Sequence, residues 1–141
     1  MSIMVFGMGR IGAGAYDELV NRRGNVVLGV DRTDGIVGEQ CAFGRNVVRG
    51  DALDVEFWGR LQLDSNIKLI VLAMSDHQAN MTAVRRVRQY LPAARIAATA
   101  SYADEVAELQ AAGVDVARNL YGEAGQSLAD DASDLLSRTE G

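Results

Sequence analysis

A short apolar run, Ile3-Met4-Val5-Phe6, breaks directly into Gly7-Met8-Gly9-Arg10-Ile11-Gly12. Four apolar residues cut off by G-x-G-x-x-G spell a buried strand, a tight turn and the first turn of a helix. Each glycine answers a different demand. Gly7 permits the sharp exit from the strand, Gly9 leaves the backbone open to a phosphate, and Gly12 lets the helix sit close on the sheet. The unpaired N–H groups and positive dipole end of that helix then face an anion.

With 15 glycines in 141 residues the pattern needs context. A second apolar run, Val26 to Val30, ends in Asp31 and Arg32. Asp31 stands near the ~20-residue spacing at which a carboxylate takes the ribose hydroxyls of an adenine nucleotide. Further along, apolar runs alternate with helical stretches, the pattern of a parallel sheet covered on both faces. Ile11, Ala15 and Leu19 form the expected buried stripe of the first helix, which Gly24 ends. A second helix spans about Thr33 to Phe43, against the preference of Gly35 and Gly38. Asn46 to Arg49 make a third strand, and Asp51 and Asp54 can both cap the helix after it. There Leu53, Phe57 and Leu61 line one side, with Trp58 expected as core or interface filler.

Ile67 to Ala73 is the fourth strand, expected to be central, and its helix is capped by Ser75 or Asp76 and closed by Pro92. Arg95 to Thr99 is the fifth strand. Ser101-Tyr102-Ala103-Asp104 has capping-box spacing before a helix that stops at Gly113. Val114 to Ala117 is the sixth strand, and Glu123 to Ser137 a last amphipathic helix with Ala124, Leu128, Ala132 and Leu135 on one face. The expected fold is a Rossmann-like, doubly wound parallel six-stranded sheet of order 3-2-1-4-5-6 in a three-layer α/β/α sandwich. Its ligand crevice opens at the switch between strands 1 and 4, where Gly7 to Gly12, Asp31-Arg32, Asp51-Ala52 and Ala73, Met74, Ser75 and His77 converge.

The chain suits one nucleotide-binding domain over 1–120 with a C-terminal helix over 121–141, packed on it or on a dimer partner. No apolar stretch reaches the ~18 residues of a membrane span and no signal peptide precedes the first strand, so a cytoplasmic protein without membrane insertion is expected. A net charge of −5 argues against a nucleic-acid partner. Arg85, Arg86 and Arg88 read as the wet face of a helix. Single residues, Cys41 and His77, exclude an internal disulfide and any Cys- or His-based metal site.

Val5-Phe6-Gly7-Met8-Gly9-Arg10-Ile11-Gly12 with Gly14 to Leu19, Gly44-Arg45-Asn46-Val47-Val48, Gly50-Asp51-Ala52, Leu72-Ala73-Met74 and Asn119-Leu120-Tyr121 carry a resemblance over nearly the whole chain. The sequence resembles the nucleotide-binding domain of glutathione-regulated potassium-efflux antiporters, and more broadly the Trk-type and RCK (regulator of potassium conductance) domains. That resemblance implies a cytosolic sensor, usually dimeric, setting the activity of a potassium channel or transporter through bound NAD(H), AMP or ATP. It implies phosphate contacts from the glycine turn and Arg10, ribose contacts from Asp31, an adenine flanked by Asp51 and Ala52, and a far wall of Ala73 to Ser75. The residues given span neither the membrane part nor the second regulatory lobe of those proteins, so either a free-standing relative or a fragment is expected.

An enzyme would need more. His77 follows the fourth strand and has acid–base chemistry, but no second acid or base is spaced in sequence to orient it, which favours a polar first-turn residue touching ligand or water. Cys41 reads as a buried, inert thiol. A binding and regulatory module without catalysis is therefore expected, with a small nucleotide-dependent oxidoreductase as the alternative.

Overall fold

A computed structural model describes residues 1–63 and 66–140. Asp64, Ser65 and Gly141, the last being the end of the expected C-terminal segment, lie outside the described residues. In chain order the elements are β1 (Ile3–Phe6), α1 (Arg10–Arg23), β2 (Val27–Asp31), α2 (Asp34–Ala42), β3 (Val47–Arg49), α3 (Val55–Leu61), β4 (Leu69–Leu72), α4 (His77–Tyr90), β5 (Arg95–Ala100), α5 (Ala103–Ala111), β6 (Val116–Asn119) and α6 (Leu120–Glu140). The strands form one parallel sheet, β3-β2-β1-β4-β5-β6, the Rossmann-like order that the sequence predicts.

β1 is buried at all four residues because it has strands on both edges and helices on both faces. Ile3 and Val5 point toward α1 and α2, packing with Met8, Ala13, Tyr16, Val27 and Val47. Met4 and Phe6 point the other way, into the larger core of Trp58, Ile70, Leu72, Val84, Ile96 and Leu109 beneath α3, α4 and α5. Period-two alternation divides the strands' side chains between these two layers.

Packing shifts several elements from their expected phase. α1 buries Gly12, Ala13 and Tyr16, while Ile11 is 47% exposed. The helix approaches the sheet most closely at Gly12, where a Cβ would meet the Gly7 carbonyl, and this phase turns Gly12, Ala13 and Tyr16 inward and Ile11 toward the crevice. Leu53 is exposed, and α3 instead inserts Phe57 and a fully buried Trp58. Trp58 stacks on Phe6 at 5.1 Å and meets Phe57 edge-on, and its indole N–H donates to the Ala52 carbonyl at 2.7 Å. Asp54 alone caps α3; Asp51 closes its own turn by accepting the Leu53 N–H. Asp76, not Ser75, caps α4.

The expected capping box before α5 does not form. Tyr102 is the N-cap without a side-chain bond, and Glu105 takes the Ser101 N–H instead. β6 starts two residues late because Asp115 turns aside to accept the Ile96 N–H at 2.8 Å, facing Arg88 and Arg95. That bond first, and the two guanidiniums second, hold its carboxyl below the usual carboxylate range. Arg88 is thus no free surface charge: it also donates to the carbonyls of Ala94 and Gly113. Cys41 proves exposed, because α2 buries none of its residues.

α6 stands apart: every described residue from 121 to 139 is exposed, Leu128 and Leu135 at 71% and 60%. The sheet has a matching bare region. Val71, Ala97 and Val116 are in register across β4, β5 and β6 and so share the α1 face, yet Val116 is 48% exposed.

Candidate functional site

The carboxyl ends of the strands enclose one cavity of about 540 Å³ at the switch between β1 and β4. Its floor is the glycine turn. Gly7 has φ +89°, and a Cβ there would lie 2.7 Å from the Ala73 carbonyl oxygen, so no other residue fits. A Cβ on Gly12 would fall 1.6 Å from the Gly7 carbonyl oxygen. A Cβ on Gly9 would meet nothing within 4 Å, because Gly9 borders the cavity. Gly9 is also the N-cap of α1, with no side-chain cap and no acid in the first turn. Where Asp54 and Asp76 cap the starts of α3 and α4, α1 presents its N–H groups and positive dipole end with no side chain capping them.

Opposite the turn, Asp31 ends β2. Its Oδ2 accepts the Met8 N–H and its Oδ1 the Thr33 N–H, both at 2.9 Å. These bonds fix the carboxylate in place and leave lone pairs on both oxygens. Gly50, Asp51 and Ala52 form the next wall. A Cβ on Gly50 would press within 2.5 Å of the Phe57 ring, so glycine is what lets the Phe57–Trp58 cluster support this wall from behind. Arg10 and Arg32 bring two guanidiniums to the cavity, one from each side of Asp31 in the chain.

The fourth wall carries Ala73, Met74, Ser75 and His77. Here the sequence reasoning missed a partner. His77 Nε2 lies 2.7 Å from Glu108 Oε2 on α5, so a carboxylate does orient the imidazole; the two are 31 residues apart, too far for any local pattern to reveal. Behind it Asn80, 1% exposed, donates to the Met74 carbonyl, while its Oδ1 is buried without a hydrogen-bond partner. Such an acceptor suits a ligand donor.

All the expected site residues border the cavity except Met8 and Gly12. Met8 is fully buried beneath β2, its sulfur filling the space a Cβ on Gly29 would need, and it serves the site through its backbone. Gly12 serves by letting α1 approach. The cavity also takes Thr99 to Ser101 at the end of β5 and Leu120 and Tyr121 at the start of α6. The doubly wound order itself could have pointed to the β5 end, the next strand beyond the switch; α6 gave no signal. Among the described residues, no cluster of His, Cys, Asp and Glu could hold a metal.

Residues 3–120 match the family model of the TrkA-N domain. Among curated proteins no sequence matches the chain. Solved structures do. The TrkA-N domain of the Escherichia coli inner membrane protein YbaL is 22% identical with a TM-score of 0.79, the match covering 92% of this chain and 94% of that one. The C-terminal domain of a Shewanella denitrificans Kef protein in its AMP-bound form is 21% identical with a TM-score of 0.66, covering 99% and 92%. At these identities the likeness is one of fold. The GsuK channel bound to NAD is 26% identical with a TM-score of 0.74, covering 96% of this chain and 24% of the channel.

Proposed function

The chain belongs to the TrkA-N domain family, and from that premise we propose that its crevice binds an adenine nucleotide, NAD(H) or AMP, with ATP as a further ligand. One observation carries the reading: the uncapped start of α1, with open space at Gly9, faces the cavity bordered by the Asp31 carboxylate. Cationic, cradle-shaped and beside a fixed acceptor, the donor set fits a phosphate joined to a ribose. The glycine turn and Arg10 would hold phosphate, Asp31 the ribose hydroxyls, and Asp51 and Ala52 the adenine. Ala73, Met74, Ser75 and His77 would line the other side. GsuK bound to NAD and the Kef domain bound to AMP support this ligand class.

In this reading the domain is a cytoplasmic regulator of a potassium or other cation transport system, sensing its ligand without catalysis. No described helix is long and apolar enough to cross a membrane, so a membrane transporter would be a separate chain or segment. The domain acts as a homodimer. The exposed leucines of α6 and the bare β5–β6 face are two apolar surfaces on one chain, and a second copy can cover both around a two-fold axis. Leu120 and Tyr121 join the cavity to α6, giving bound ligand a route to the partner.

Mass spectrometry of nucleotide released from the purified protein, followed by calorimetry, tests the ligand; no binding of NAD(H) or AMP at micromolar concentrations refutes the site. Light scattering of Leu128→Asp and Leu135→Asp tests the dimer, and an unchanged dimer refutes the α6 contact. The His77–Glu108 pair favours the second reading, a nucleotide-dependent oxidoreductase, and oxidation of NADH by any added acceptor would select it.

A further inference from the structure

Two consecutive peptide groups of the glycine turn are fixed by side chains, one of which, Gln40, stands outside the cavity. The Met8 N–H is held by Asp31, and the Met8 carbonyl accepts from Gln40 Nε2 at 3.1 Å. Gln40 lies on α2 and does not border the cavity. Its amide cannot turn over without losing two bonds at once, because its Oε1 accepts from Arg45 Nη1 at 2.6 Å. Arg45 is locked in turn by a two-pronged pairing with Asp17 of α1, at 2.8 and 2.7 Å. One chain of polar contacts therefore runs from α1, through the loop before β3 and through α2, back to the turn that starts α1.

A trans peptide points its C=O and N–H in opposite directions, and no described peptide is cis. The carbonyl of Met8 and the N–H of Gly9 share one such plane. Pulling that carbonyl toward Gln40 therefore turns the Gly9 N–H away from α2. We propose that Gln40, locked by Arg45 and Asp17, is a positioning residue that aims the Gly9 N–H at the phosphate of the ligand. The inference rests on the reading of the crevice as a nucleotide site.

The test is calorimetry on the full chain with AMP and with adenosine, which lacks the phosphate. Gln40→Met keeps the side-chain length and removes the donor to Met8; Arg45→Met leaves Gln40 in place but unlocked, and serves if the first variant fails to fold. The expected result is about a tenfold loss of AMP affinity with adenosine affinity unchanged. A residue that merely stabilises the fold would shift both ligands together or neither, and either result in both variants overturns the inference. A parent protein that binds neither ligand overturns the reading of the crevice itself, which the parent alone reports before any variant is made.

Discussion

Alanine at Gly9 and alanine at Gly12 are the same chemical change three residues apart, and the structure predicts opposite outcomes. Gly9 has φ −73° and ψ −160°, which alanine adopts without strain, and its new methyl would meet nothing within 4 Å. A stiffer unfolded chain favours the variant by about 0.4–1 kcal/mol, and a poorer N-cap costs about as much, so stability should stay within about 1 kcal/mol of the parent. The methyl does occupy the space where phosphate would approach the α1 amides. Losing one charge-assisted hydrogen bond there costs about 1.5–3 kcal/mol, about a tenfold to hundredfold rise in the Kd for AMP. At Gly12 the methyl would stand 1.6 Å from the Gly7 carbonyl oxygen, and backbone cannot swing aside as a flexible side chain does. Helix α1 must retreat from the sheet, loosening the packing of Ala13 and Tyr16, and overpacking of this kind costs about 1–3 kcal/mol or more. Urea unfolding and calorimetry with AMP on both variants separate the effects. Parent-like AMP binding by Gly9→Ala would remove the phosphate from the glycine turn, and parent-like stability of Gly12→Ala would refute the close seating of α1.

Asp31→Ala should weaken AMP by about 1.5–3 kcal/mol through loss of the charged acceptor, and calorimetry showing parent affinity would sink its assignment to the ribose. NAD(H) should outcompete NADP(H), because a 2′-phosphate would lie against the Asp31 carboxylate; NADP(H) displacing NAD(H) at equal concentration would give the decision to the neighbouring Arg32. Asp17 and Asp115 both have carboxyls held below their ordinary value of 3.8, the first by its bond to Arg45 and the second by the Ile96 N–H. A lowered folded-state pKa adds stability above that ordinary value and loses it as pH falls through the folded one. Thermal melts should therefore drop as the solution is acidified below about pH 4. Asp115→Asn should be less stable at neutral pH and fall less steeply in acid; an identical slope would show that Asp115 contributes nothing to the acid transition.

The order of strands, the place of the crevice and most of its walls were legible in the sequence because each rests on a local pattern. Apolar runs of four to seven residues mark parallel strands, a glycine triplet marks the turn, and an acid at a strand's end marks a wall of the crevice. What the sequence could not determine depends on contacts between residues far apart in the chain. His77 gained its carboxylate from α5, and Arg45 joined α1 to α2 through Asp17 and Gln40. Helical phase was likewise decided by packing: Ile11 had the right spacing for the core, but the close approach at Gly12 turns Gly12, Ala13 and Tyr16 to the sheet instead. Trp58 could be read as filler, but its place behind Ala52 follows from its stacking on Phe6, a strand that the chain leaves some fifty residues earlier. Short-range spacing determines which elements form and where a ligand can enter. Only the folded arrangement decides which side chains hold that entrance in shape, because those bonds join elements that no period in the sequence relates.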